Sequence, residues 1–417
     1  MNIWLMQIGE AVPIRDNSVK QRTALIADKL IERGHQITWW TSAFDHFKKE
    51  FIFNKDTELV IKKDLKVIAF KAIGYRKNFG LSRFIDHRII AAKFRAKSKN
   101  YVKPDIIIAS TPSYDLAYEA ILYAKKNKVP ILVDIRDQWP DVFLNYPNPF
   151  FRKALNLVMF NEYLIVKRVL GMADGLIAMM NDLLDWGLAY ACRYKTERDK
   201  VFYLGYKRDL RNQRDSDKIT GILSKLSGKF IVTFIGTFSY NNNPSILLDC
   251  AARLEKEDIY FVLAGDGEFF KEIKKRSSLM PNISLTGWLD QEDITTLLKY
   301  SHVGICHTTQ KNAFFPNKIF VYLSAGVPII SAIAGELKEF LEKYEIGLYY
   351  PSNNIDSLVS AIMKIYNDPQ LRAKMSANAS KIFNEMLDAD KIYNDYADYV
   401  ELMARTIRKD IYGETPN

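Results

Sequence analysis

Lys318 falls in the first turn of a predicted helix over residues 318–324, between Pro316-Asn317 and an Ala325-Gly326-Val327-Pro328 stop. The positive end of a helix dipole disfavours a cation unless an anion lies close by. An ammonium beside the unpaired N–H groups of a first helical turn is therefore a ready anion site. A surface lysine opening an ordinary core helix is the other reading of the same residues. Three short glycine motifs share this half of the chain: Gly236-Thr237, Gly265-Asp266-Gly267 and Gly287-Trp288-Leu289. Glycine lets backbone N–H groups come close to phosphate oxygens. Each motif is weak alone and gains value from its place after an apolar run. Gly335, Glu336 and Leu337 form a last turn of this kind.

The N-terminal half carries Gly9, Glu10, Arg15, Ser110 and Thr111 in loops, and the dense run 134–141, DIRDQWPD. Within that run Arg136 can neutralise phosphate or hold an acceptor, and Asp137 can orient a group or accept a proton. An Asp–Arg pair that only fixes the loop is the alternative. Trp288 can stack on a base or simply pack. Asp215-Ser216-Asp217 has the spacing of a metal-held diphosphate site, but it lies in a hydrophilic connection and not at the end of a buried strand.

The elements that must position these residues are legible as alternating strands and helices. Residues 2–8 form a buried-strand pattern, 18–33 a helix with Leu25, Ile26, Leu30 and Ile31 at helical spacing, and 36–41 the next strand. This is a βαβ unit. Further short apolar runs at 104–109, 130–134, 173–179 and 201–206 extend the series, and residues 207–229 are polar and charge-dense. A second series follows at 230–235, 260–264, 283–285, 303–307, 327–331 and 348–351, before helices dominate from 354. Parallel sheets of this type bind ligands at the carboxyl ends of their strands, where all of these loops lie.

Composition narrows the classes. With 417 residues, 48% hydrophobic and 26% charged, the chain is ample for two or three globular domains. No apolar run reaches the roughly 18 residues of a membrane span, and residues 1–10 read as a first strand and not a signal peptide. Three scattered cysteines point to reduced thiols in cytoplasm, and five histidines form no zinc pattern with them. A net charge of +10 favours anionic partners. Residues 76–103 concentrate that charge, from Arg76 to Lys103 with Asp86 as the sole acid, interleaved with apolar residues. Such a helix can lie on an anionic inner-membrane surface, or its apolar side can be core. No nucleic-acid module accompanies it.

Pro316, Lys318, Tyr322, Gly326 and Pro328 resemble the P-x-K-x-x-E-Y-x-x-x-G-x-P signature of the retaining GT-B glycosyltransferases of family 4, in the branch that builds bacterial surface polysaccharides. Arg33-Gly34-His35 and the run 134–141 are similar to other motifs of that branch. The resemblance implies an α/β GT-B architecture: two facing Rossmann-like domains with a central cleft, and a C-terminal helix crossing back to the N-terminal domain. It sets an acceptor domain over 1–206, a nucleotide-sugar donor domain over 207–385, and the returning helix over 386–417. Two family glutamates are replaced, one by Val321 and one by Ala313. A valine accepts no hydrogen bond from a ribose diol, so the donor must be held in another way.

What the resemblance implies is a metal-independent hexosyltransferase that needs no cofactor beyond its nucleotide-sugar co-substrate, UDP being favoured over GDP or dTDP. Its donor would meet Gly236, Thr237, Gly265, Asp266, Gly287, Trp288, Leu289, Pro316, Asn317, Lys318, Val321, Tyr322, Gly335, Glu336 and Leu337. Arg136, Asp137 and Lys318 would act in catalysis. Gly9, Glu10, Arg15, Ser110 and Thr111 would face a lipid-linked or growing surface-glycan acceptor, at the cytoplasmic face of the inner membrane. A GT-B protein that has lost catalysis and binds another transferase is the alternative.

Overall fold

A computed structural model of the protein describes residues 1–14, 20–77, 80–141, 159–208, 216–309 and 315–413. The chain divides into two units: Met1–Tyr203 together with Ile392–Asn417, and Leu204–Lys391.

In the first unit the strands are β1 (Asn2–Met6), β2 (Gln36–Ser42), β5 (Thr57–Lys62), β6 (Leu65–Phe70), β7 (Ile106–Ser110), β8 (Ile131–Ile135), β9 (Gly175–Ala178) and β10 (Lys200–Val201). They form one sheet in the order β10-β9-β8-β7-β1-β2-β6-β5. All neighbours are parallel except β5, which pairs antiparallel with β6. A separate two-stranded hairpin, β3 (Phe44–Asp45) and β4 (Glu50–Phe51), follows β2. Central strands are buried along their whole length, as IIIAS in β7 and ILVDI in β8. Burial on both faces is why they read as continuous apolar runs and not as alternating ones. Helices α1 (Arg22–Glu32), α2 (Leu81–Lys97), α3 (Tyr114–Asn127) and α4 (Phe160–Met172) connect them.

The second unit carries β11 (Phe230–Ile235), β12 (Ile259–Ala264), β13 (Ile283–Gly287), β14 (Val303–Cys306), β15 (Ile329–Ser331) and β16 (Gly347–Tyr349). This sheet is wholly parallel, in the order β13-β12-β11-β14-β15-β16. Because every strand points the same way, the loops after β11 to β15 leave from one edge. Helices α5 (Asn317–Ser324) and α6 (Glu336–Tyr344) follow β14 and β15, and α7 (Ala389–Tyr412) ends the described chain. No helix of the described residues is long and apolar enough to cross a membrane.

One expectation changes. The strand foreseen over 201–206 ends at Val201, because the next carbonyls are taken by a side chain: Arg22 Nη1 donates to Phe202 O at 2.7 Å. The Phe202 ring then stacks on Tyr396, 4.7 Å away and 7° from parallel. Part of the one-sided charge of residues 76–103 is met in the fold. Lys93 and Lys97 bridge to Asp56, Arg88 to Asp115 and Glu162, and Arg95 to Glu119. Ile90 and Phe94 are core, while Leu81 and Ile85 remain exposed. α2 thus buries one side in the core and pairs four of its cations.

The carboxyls that meet Arg88 yield a pH prediction. Burial, and then the neighbouring Asp115, push Glu162 up to about 7, against the pull of Arg88. The folded protein thus keeps a proton on Glu162 that the unfolded chain releases near its ordinary carboxyl value. Stability from this group is present at acid pH and is lost as pH rises from about 4.5 to 7. Glu162→Gln should flatten that part of a plot of melting temperature against pH, and an unchanged slope would refute the assignment.

Candidate functional site

In the second unit, α5 brings Lys318 back over the end of β11. Its Nζ is enclosed and has no hydrogen-bond partner among the described residues. It lies 4.3 Å from the centre of the Phe234 ring, and a Cβ on Gly236 would stand 3.1 Å from it. Glycine is needed at 236 both for that approach and for its φ of +149°. Burial lowers the Lys318 pKa, opposed only by the nearby Cys306 thiol. A cation held dry and without an anion is costly unless a ligand supplies the charge.

Tyr322 explains how α5 is held. It stands inside the core at 0% exposure, not on the open site foreseen for it. Its hydroxyl accepts from Ile235 N at 2.8 Å and reaches the carbonyls of Thr233 and Ile305, each at 3.3 Å. Its ring fills the space where a Cβ on Gly304 would be 2.6 Å away. Tyr322 therefore pins α5 across β11 and β14 and sets the position of Lys318 one turn earlier. Gly265 has a similar duty: a Cβ there would fall 1.8 Å from Gly236 O, so the β12 loop can pack on the β11 loop only without a side chain. Phe238 N donates to Asp266 O at 2.9 Å and locks the two loops together.

The side chains of Leu289 and Leu337 are buried in the core and not presented to a ligand. Thr237, Asp266, Trp288, Asn317 and Gly335 are exposed at the loop edge, while Pro316, Val321 and Glu336 are half-buried. Gly287 and Gly335 take φ of +70° and +71°, turning the chain out of β13 and into α6. Sequence reasoning passed over His307, which directly follows β14. It is buried, shares a 2.7 Å hydrogen bond with Tyr350 Oη, and is held down to about 4 by burial and then by Lys318. No local pattern marks it, since Tyr350 lies just after β16 and Lys318 on α5.

In the first unit, Arg136 and Glu10 pair directly. Arg136 also donates to Asp134, Nε to Oδ2 at 2.9 Å, and Arg22 meets both oxygens of Asp134 at 2.9 and 3.0 Å. Glu10 Oε2 accepts from Thr23 N at 2.9 Å in the first turn of α1. Arg22, which reads from sequence as well for a surface charge, is 3% exposed and Asp134 is 0%. Burial disfavours the Asp134 charge, yet the two guanidiniums more than offset this and hold its carboxyl below the usual range. Ser110 and Thr111 are buried as well. Asp137 adjoins this group; burial raises its pKa against the Gln138 N–H and Arg83. Arg83 lies over the Trp139 ring at 5.0 Å, and His46 Nδ1 bonds Tyr75 Oη at 2.7 Å beside Gly9. Arg83, His46 and Tyr75 were not foreseen. Arg15 and Ala313 lie outside the described residues.

Residues 215–382 match the model of the family described as glycosyl transferases group 1. The chain is 22% identical over 340 residues to an O-antigen chain mannosyltransferase C of Escherichia coli, covering 77% of this chain and 85% of that one. It is 29% identical over 192 residues to an Escherichia coli UDP-Gal:alpha-D-GlcNAc-diphosphoundecaprenol alpha-1,3-galactosyltransferase, covering 43% of this chain and 48% of that one. Among solved structures, Anabaena HepE in complex with UDP superposes with a TM-score of 0.65 at 16% identity, over 96% of this chain and 99% of that one. Sucrose-phosphate synthase of Thermosynechococcus elongatus superposes at 0.69 and 14%, over 97% and 99%. The chain has the GT-B fold of two Rossmann-like units and is a glycosyltransferase.

Two substitutions test these clusters. Asp134→Asn leaves Arg22 and Arg136 buried without their shared carboxylate and should cost about 3–5 kcal/mol, read as a fall in the unfolding midpoint. Lys318→Met removes a buried unpaired charge and should stabilise the ligand-free protein by about 1–2 kcal/mol. A Lys318→Met protein less stable than its parent would show the charge to be compensated.

Proposed function

We propose that the chain transfers a sugar from a nucleoside diphosphate donor to a lipid-linked or growing surface-glycan acceptor, with retention of configuration and without a metal. The enclosed ammonium of Lys318 beside Gly236 carries this reading. A diphosphate seated at the ends of β11 and β14 would meet Lys318, the Gly236-Thr237 backbone and the first-turn N–H groups of α5 and α6. As the sugar C1–O bond to phosphate breaks, charge grows on the leaving oxygen, and a fixed cation in a dry site stabilises that charge best. The acceptor oxygen bonds C1 on the same face, and its proton passes to the leaving diphosphate. Glu10, Arg136 and Asp137 would order the acceptor.

UDP is the favoured nucleotide. One relative is a UDP-galactose enzyme whose named acceptor is a diphosphoundecaprenol-linked sugar, and HepE is seen with UDP. Trp288, exposed after β13, is offered to the base. Work at the cytoplasmic face of a membrane follows from an acceptor of this kind. Val321 on α5 favours a second reading, a GT-B protein that binds another transferase without catalysing, because no carboxylate stands at that position to grip a ribose.

Thermal unfolding with UDP, GDP and dTDP, each with and without EDTA, separates the two readings. UDP should raise the melting temperature by mass action, unaffected by EDTA. Lys318→Ala should abolish the shift, and Val321→Glu should enlarge it. Since burial lowers the Lys318 pKa, UDP affinity of the parent protein should fall as pH climbs from neutral toward the ordinary lysine value, and affinity unchanged over that range would refute the assignment. No shift with any nucleotide would leave the non-catalytic reading standing.

A further inference from the structure

The first unit holds a cavity of about 540 Å³ between the β3–β4 hairpin, the loop after β6 and the start of α2. Phe44, Phe51 and Tyr75 form its apolar wall, and Lys49, Arg76 and Lys77 bring three cations to it. No carboxylate lines it. The contrast with α2 is sharp: four basic side chains on that helix are ion-paired, whereas Arg76 and Lys77 before it meet no carboxylate among the described residues. The cavity opens to solvent, and its floor is fixed by packing. Gly74 turns the chain at φ +71°, and a Cβ there would press within 3.1 Å of both the Phe44 and Phe51 rings. Its N–H is tied to the buried Asp86 Oδ1 at 2.6 Å, which fixes the loop that presents Arg76.

Two further features point to an anion with an apolar attachment. Gly80 and Ser82 line the cavity at the N-terminus of α2, whose first turn has no acidic residue and no side-chain cap, so the positive end of the helix adds to the three cations. Beside them Ile73 and Leu81 are exposed, at 52% and 73%. The volume suits a small polar headgroup.

We propose that this cavity binds the diphosphate of a lipid-linked acceptor, with the first part of the lipid chain lying along Ile73 and Leu81. The proposal rests on the transferase reading above and names the acceptor's phosphates as what this unit recognises. Lys49, Arg76 and Lys77 would share the charge, and Ser82 would donate a hydrogen bond.

The test uses the full chain without donor and measures co-sedimentation with phosphatidylcholine vesicles that carry a small fraction of polyprenyl diphosphate. The parent protein should bind, and the double variant Arg76→Ala/Lys77→Ala should bind roughly 30-fold more weakly, at about a kilocalorie per lost surface cation. Equal binding by parent and variant, or no binding by the parent, overturns the proposal. Vesicles with phosphatidylglycerol at matched charge form the second arm: recruitment as strong as that by polyprenyl diphosphate means a general anionic surface and also overturns it. A melting transition without nucleotide that matches the parent's shows that the double variant is folded, and the shift caused by UDP is read on the same samples. It also keeps the two ideas apart, since a persisting UDP shift with undiminished vesicle binding sinks the cavity alone. Vesicle binding lost in the variant, with no UDP shift in the parent, sinks the donor reading alone.

Discussion

A positive charge kept out of water with no anion beside it is the constraint around which the second unit is arranged. Lys318 would relax toward solvent or a carboxylate if its surroundings allowed it. They do not, because Tyr322 fastens α5 to two strands through three backbone groups. Gly304 leaves room for that ring, and Gly265 lets the next loop close over Gly236. Phe234 offers the ammonium a ring face, which offsets part of the lost hydration. The frame holds the charge before any ligand arrives, which is the condition for stabilising a leaving diphosphate without reorganisation.

The first unit solves its charge problem in the opposite way. Glu10, Arg136, Asp134 and Arg22 form a closed chain of alternating sign in which every partner is met by another. Such a set is rigid and gives the ends of β1 and β8 a fixed geometry. It does not by itself attract a charged ligand. Cations that meet no carboxylate among the described residues stand instead in the loop after β6, where Arg76 and Lys77 lie beside exposed apolar side chains. In each unit a satisfied frame thus lies beside cations that meet no carboxylate among the described residues.

Local pattern was enough for most strands and for the loops that follow them. Buried parallel strands are short continuous apolar runs, and glycine is forced where backbones touch, so Gly236, Gly265 and Gly287 were visible as turns. Lys318 was visible because a cation opening a helix is locally unfavourable. The hairpins over residues 44–70 carry no comparable signal: β5 alternates on an exposed edge, and β3 and β4 are two residues each.

By itself, then, the amino-acid sequence determined the α/β series, the loops at the strand ends and the lysine among them, since these follow from periodicity and backbone freedom over a few neighbouring residues. Tertiary structure alone decided which charges are spent and which are available. Arg22 and Asp134 are 112 positions apart, and the acids that neutralise Lys93, Arg95 and Lys97 come from other elements. Tyr322 became an anchor only because β11 and β14 lie side by side. Electrostatic and hydrogen-bond partners are chosen by distance in space, and a one-dimensional pattern holds no measure of that distance.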